Sequence, residues 1–170
     1  MMNKMKKILC IVGKSGSGKS ISAEYIKKQY NINMVQSLTD RKPRYKGENG
    51  HTFISHKAFD NINKDDMIAY TKFGDNRYCC RHQDLVQNNT YIIDPTGLKY
   101  LKETYCGLYD ITSVYIHRLD ELKKIDSDRL LRDKDKYFLP EDYYNHNINN
   151  NKNYSDLFTR LDQIITEVFK

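Results

Sequence analysis

A chain of 170 residues with 39% hydrophobic and 29% charged side chains can bury one core, and its composition argues against a large disordered region. The longest strongly apolar run, Ile8–Val12, is far too short to cross a bilayer, and Met1–Lys7 lacks the apolar core of a signal peptide, so the expected compartment is the cytoplasm. The formal charge of +6 is spread along the chain with no helix-turn-helix, zinc-finger or aromatic RNA-binding signature, which argues against nucleic acid or a membrane as partner and for small phosphorylated ligands.

In chain order, Lys6–Val12 reads as a buried strand and Gly13–Ser20 as a loop opening a helix over Ile21–Tyr30, where Ala23, Ile26 and Tyr30 recur at helical spacing. A short strand is predicted over Met34–Ser37, then a polar loop over Thr39–Gly50 with Pro43, Gly47 and Gly50. His56–Asn63 reads as a short helix, followed by two antiparallel strands, Ile68–Phe73 and Arg77–Cys80, joined by Gly74-Asp75-Asn76. A small helix over Gln83–Gln87 leads to a strand over Thr90–Ile93, ended by Asp94-Pro95, and a helix over Gly97–Glu103. A strand over Ser113–His117 precedes a charged helical stretch, Leu119–Asp135, which Pro140 breaks. Asn145–Asn153 reads as a surface loop into a last amphipathic helix, Tyr154–Phe169, with Leu157, Leu161, Ile164 and Val168 on one stripe. Strands alternating with helices predict a three-layer α/β/α fold around a parallel sheet.

The four cysteines contain no C-x-x-C pair, so they are expected as reduced, mostly buried thiols rather than a zinc site or a disulfide framework. The chemistry is carried elsewhere. Gly13-Lys14-Ser15-Gly16-Ser17-Gly18-Lys19-Ser20 matches G-x-x-x-x-G-K-S/T completely, between an apolar strand and an amphipathic helix. Its glycines allow the backbone to wrap a polyphosphate, its N–H groups and the helix start supply positive potential, Lys19 reaches the β/γ-phosphates, and the Ser20 hydroxyl suits Mg²⁺. ATP and Mg²⁺ are the expected donor and cofactor. Further on, Arg41 and Arg44 bracket Pro43 in one loop, and two guanidinium forks in a stiffened loop suit phosphate oxygens, as they also suit a plain solvated surface.

Taken together, the phosphate loop, then Ser37-x-Thr39-x-Arg41-x-Pro43-Arg44, then Gly47-Glu48-Asn49-Gly50-His51-Thr52-Phe53-Ile54-Ser55, resemble the guanylate kinase family, whose pattern reads roughly S-x-T-T-R-x-P-R-x-G-E-x-x-G-x-x-Y-x-F-V-S. The likeness continues through Met67–Tyr70, Phe73, Asn76–Tyr78, Tyr91–Asp94 and Gly97, and loosely in Ile148–Asn151. The resemblance implies a P-loop fold with a core at about 1–36, 81–118 and 151–170, a small β excursion binding the nucleoside monophosphate at about 37–80, and a shortened lid at about 119–140. It implies that Arg41, Arg44 and Tyr78 grip the acceptor 5′-phosphate, that Ser37 touches the base, and that Asp94 lies near the phosphate loop and metal. It places Asn150 at a nucleoside contact and Arg129 and Arg132 in the lid, although their i, i+3 spacing also fits an ordinary solvated helix face. The assembly is left open, with a homodimer among the options.

Several positions depart from the pattern. Ala69 stands where the family's guanine-reading carboxylate belongs, and alanine cannot accept a hydrogen bond. Cys80 replaces a small hydroxyl residue, Cys79 a glycine, His51 a phosphate-binding tyrosine, and Ile21 a threonine. The resemblance implies a kinase moving the γ-phosphoryl of ATP to a (deoxy)nucleoside monophosphate, and the departures imply an altered base preference. A binding module without catalysis and a P-loop kinase of a non-nucleotide metabolite are the alternatives.

Overall fold

The computed structural model describes residues 4–118, 133, 138–151 and 153–170. Its centre is β1 (Lys6–Val12), whose residues Ile8 to Val12 are fully buried because the strand has a helical layer on each face. Around it lie β2 (Asn33–Val35), β7 (Asn88–Ile92), β8 (Tyr109–His117) and β9 (His146–Asn149), in the order β2-β7-β1-β8-β9 and all parallel. Ile8, Cys10 and Val12 point to one layer with Tyr91, Ile93, Leu98 and Leu101, and so against α3 (Pro95–Tyr105). Leu9 and Ile11 point to the other, against Ala23 and Ile26 of α1 (Lys19–Tyr30) and Leu157, Leu161, Ile164 and Ile165 of α4 (Tyr154–Phe169). The three-layer α/β/α fold expected from the sequence is therefore observed.

A second, four-stranded sheet has the order β4-β3-β6-β5, from β3 (Ser37–Thr39), β4 (His51–Phe53), β5 (Met67–Phe73) and β6 (Asn76–Arg81). β3 pairs parallel with β4 and antiparallel with β6, which pairs antiparallel with β5. Leu38, Met67 and Cys79 pack on Phe59 of the short helix α2 (His56–Asp60), which Ser55 caps through the Ala58 N–H.

Three expectations are corrected. The single strand predicted over Met34–Ser37 is two strands parted at Gln36, β2 in the first sheet and β3 in the second, because the chain changes sheets there. The loop predicted over Asn145–Asn153 contains β9, paired with β8 from Val114↔His146 to His117↔Asn149; its asparagines are poor strand formers, and Ile148 anchors it in the core. The small helix predicted over Gln83–Gln87 is a short 3₁₀ turn at His82–Asp84. The helical stretch expected at 119–135 lies outside the described residues apart from the helical Asp133. No described helix is long and apolar enough to cross a membrane. Cys10, Cys79 and Cys80 are buried free thiols and Cys106 an exposed one.

Because Leu161 is fully buried between α4 and β1, Leu161→Ala should lower unfolding stability by about 2–5 kcal/mol in a urea titration, with the m-value unchanged.

Candidate active site

The loop after β1 turns inside a crowded shell. A Cβ on Gly13 would lie 2.6 Å from the Ile116 carbonyl, and one on Gly18 would lie 2.7 Å from Asn150 Nδ2, so both positions exclude any side chain. Gly18 also has φ 104, a left-handed backbone that favours glycine, and it is the N-cap of α1. Gly18 has no side chain to cap this helix and no acid lies in its first turn, so the helix start keeps its positive potential towards an anion. Lys19 Nζ reaches back to the Lys14 carbonyl at 2.8 Å, spanning the loop. Asn150 donates to the Ser17 carbonyl at 2.8 Å while its own N–H bonds His117. Expected at a nucleoside contact, Asn150 lies against the phosphate loop, which it braces from the residue after β9. Ser15 N–H is held by the Asp133 carboxylate at 2.7 Å, and Arg118 donates to the Gly16 carbonyl.

The acceptor loop is organised by an acid. Glu48 receives both arms of Arg41, at 2.8 and 3.1 Å, and the Arg44 backbone N–H at 2.6 Å, with the Arg44 guanidinium 3.6 Å away. The turn Tyr45–Glu48, with Gly47 at φ 83, folds the acid back onto the two arginines. Arg41 is also stacked over Phe53 at 5.1 Å and lies within reach of the Tyr78 hydroxyl. His51 packs edge-on against Tyr78, with ring centroids 5.6 Å apart. Burial and the neighbouring Arg41 lower the His51 pKa, so it is neutral at pH 7 and can donate a hydrogen bond without adding charge. Its Nδ1 is buried with no hydrogen-bond partner, as is Nε of Arg41. Arg41, Arg44, His51 and Tyr78 are thus brought together. Arg129 and Arg132 lie outside the described residues.

Towards the core, Ser37 Oγ lies 2.8 Å from the hydroxyl of Tyr91, which is 3% exposed. Cys80 lines the same cluster, and burial pushes its thiol pKa up, so it stays protonated. Ala69 sits at φ 55 where β5 bulges against β6 between Ile68 and Thr71. This turns its carbonyl towards Gly97, where a Cβ would stand 3.2 Å from the oxygen. Asp94 Oδ1 caps α3 through the Thr96 and Gly97 N–H groups and accepts from Thr71 at 3.4 Å. These contacts hold the second sheet over the C-terminal end of β7, whose Ile92 pairs with Ile11 just before the phosphate loop.

Among the described residues, no three His, Cys, Asp or Glu side chains form a metal cluster. Ser20, exposed in the first turn of α1, and Asp94, at the N-cap of α3, carry oxygens of the kind Mg²⁺ takes, since it uses few protein ligands and binds largely through phosphate oxygens and water. Glu48, Asp40, Arg77 and Tyr91 were not singled out by the sequence reading. Glu48 carried a signal as the Gly-Glu of the family pattern, and Arg77 and Tyr91 fall in the stretches that continue the likeness, whereas Asp40 departs from it.

The chain matches the guanylate kinase of Anaplasma phagocytophilum with a TM-score of 0.69 over 99% of this chain and 89% of that one, at 18% identity. The chain has the guanylate kinase fold. In sequence, it is 32% identical over 81 residues to a guanylate kinase of Malacoplasma penetrans, a match spanning 45% of this chain and 41% of the length of that protein. No family model matches the chain. The resemblance to the guanylate kinase family is supported in both sequence and fold.

The pairing of Glu48 with Arg41 lowers its pKa from 4.5 to about 2. A depressed carboxylate stabilises the fold above its unfolded pKa, and that stability is lost as pH falls through the folded value. Stability should therefore decline between about pH 4.5 and 2, and acid titration of Glu48→Gln should show a shallower decline in that window.

Proposed function

We propose that the chain is an ATP-dependent nucleoside monophosphate kinase whose base preference is shifted away from guanine. The carrying observation is a guanidinium pair pre-set by a buried acid, on a sheet held over the edge that carries an intact phosphate loop. In this reading the loop N–H groups and Lys19 hold the donor. Ser20 and Asp94 would hold Mg²⁺, which would supply neutralisation of phosphate charge. Arg41, Arg44 and Tyr78 hold the acceptor 5′-phosphate, and neutral His51 adds a hydrogen bond. One oxygen of that phosphate attacks the γ-phosphorus in line, the new P–O bond forms as the bond to ADP breaks, and no general base is needed because the nucleophile is already an anion. Arg129 and Arg132 are proposed for the migrating group.

The base end supports the change in preference. Guanine offers N1–H and an amino group that call for an acceptor, whereas Ala69 has no polar side-chain atom and Cys80 is a neutral thiol, a weak acceptor. A pocket built around hydrogen bonds discriminates strongly against a base that leaves them unpaired. A pyrimidine or modified deoxynucleotide is the acceptor class we propose.

An ADP-release assay with Mg-ATP across ribo- and deoxynucleoside monophosphates tests both parts. Turnover is expected with a non-guanine acceptor, and GMP as best acceptor by a wide margin would overturn the base assignment. Lys19→Ala should lower kcat by about 100-fold or more, as expected for losing a charge aimed at the transferring phosphoryl. Normal activity in that variant would overturn the donor-site assignment. ATP binding without turnover across the whole panel would favour a binding module or a non-nucleotide acceptor.

A further inference from the structure

Arg41 follows the end of β3 and Tyr78 lies within β6, yet the residue just before each is charged, and the two charges meet. Asp40 has a fully buried side chain. Its Oδ1 accepts the Arg77 backbone N–H at 2.7 Å, its Oδ2 accepts Arg77 Nε at 2.6 Å, and His56 Nδ1 lies 2.9 Å from the same Oδ2. Asp40 N–H returns to the Arg77 carbonyl at 3.4 Å. The Thr39 hydroxyl also donates to that carbonyl, at 2.9 Å, and accepts the N–H of Arg41 at 3.2 Å. Thr39 and Tyr78 are register partners on β3 and β6. The other arm of Arg77 reaches Asp60 at 2.6 Å, and its guanidinium lies 4.6 Å from the Phe59 ring centroid. The family pattern carries threonine at the position of Asp40, so this chain has placed a charge there and buried it against its own arginine.

Resting on the acceptor-phosphate reading, we infer that Asp40 and Arg77 are positioning residues that fix the spacing between Arg41 and Tyr78. A buried acid bonded to both the backbone and the side chain of Arg77 ties the chain leaving β3 to β6, between Arg41 on one side and Tyr78 on the other. Neither charged group needs to touch the nucleotide. Removing Arg77 leaves the buried Asp40 with His56 as its remaining side-chain partner. Removing the Asp40 charge leaves Arg77 held through Asp60 and the His56 carbonyl, so the chain after β3 can shift against β6. A displacement of about 1 Å in a phosphate grip costs on the order of 100-fold in productive binding. The Arg77–Asp60 bond is a different case, since Asp60 is 61% exposed and an exposed pair contributes little.

The test measures KM and Kd for the best nucleoside monophosphate, and Kd for ATP, in the wild type, Asp40→Asn, Arg77→Lys and Asp60→Asn. Asp40→Asn should raise the acceptor KM and Kd by about 100-fold with ATP Kd unchanged, Arg77→Lys should retain part of the grip, and Asp60→Asn should match the wild type. An acceptor KM within twofold of wild type in Asp40→Asn would overturn the inference. So would an equal loss in Asp60→Asn, which would assign the effect to docking of α2. Loss of ATP binding in both Asp40→Asn and Arg77→Lys would make the pair a requirement of the fold and overturn a positioning role. A wild type that binds a nucleoside monophosphate without turning it over removes the kinase reading and leaves the pair readable through Kd, whereas one that binds none removes both.

Discussion

The start of α1 governs the arrangement of the rest. Its N-cap is Gly18 in a left-handed conformation, which offers no side chain, and its first turn carries no carboxylate. The N–H donors of a helix start need an anion, water or a neighbour. The molecule crowds the loop from behind with the Ile116 carbonyl, Asn150 and Asp133, leaving the concave side for a ligand. Since all five strands of the first sheet run the same way, the loop, the N-terminus of α3 and the second sheet gather at one edge.

On the acceptor side the recurring device is an acid behind each cation. Glu48 holds Arg41 and Arg44, and Asp40 holds Arg77, all in a loop and strand pair that would otherwise splay positive charges apart. These acids do two things at once. They offset repulsion between guanidinium groups while no phosphate is bound, and they fix the direction of the forks so that little side-chain entropy remains to be lost on binding.

The phosphate loop was legible because its function demands glycine at positions where a Cβ would strike backbone or Asn150, and a match of that kind survives without tertiary knowledge. β1 was legible for a related reason, its uninterrupted apolar run being what a doubly covered strand requires. The break at Gln36 was not legible, since nothing local distinguishes a strand that changes sheets from one that continues. β9 was hidden by its asparagines, which enter the sheet only through pairing with Val114–His117 and the anchor at Ile148. Arg41, Arg44 and Tyr78 could be assembled from motif order. Asp40, Arg77 and Tyr91 could not, because their significance lies in partners 37 or 54 residues away along the chain.

The division of the strands between two sheets also bears on how the chain folds. Every strand of the second sheet comes from the contiguous stretch Ser37–Arg81, and its pairings close loops of about 40 residues at most. β1, in contrast, must wait for β7 and β8, roughly 80 to 100 residues downstream, before either edge is paired. Loop-closure entropy favours the local sheet first. During synthesis, then, the acceptor half can form while the donor half still waits for its central strand to be enclosed, and the phosphate loop gains its rigid backing only when β9 arrives with Asn150.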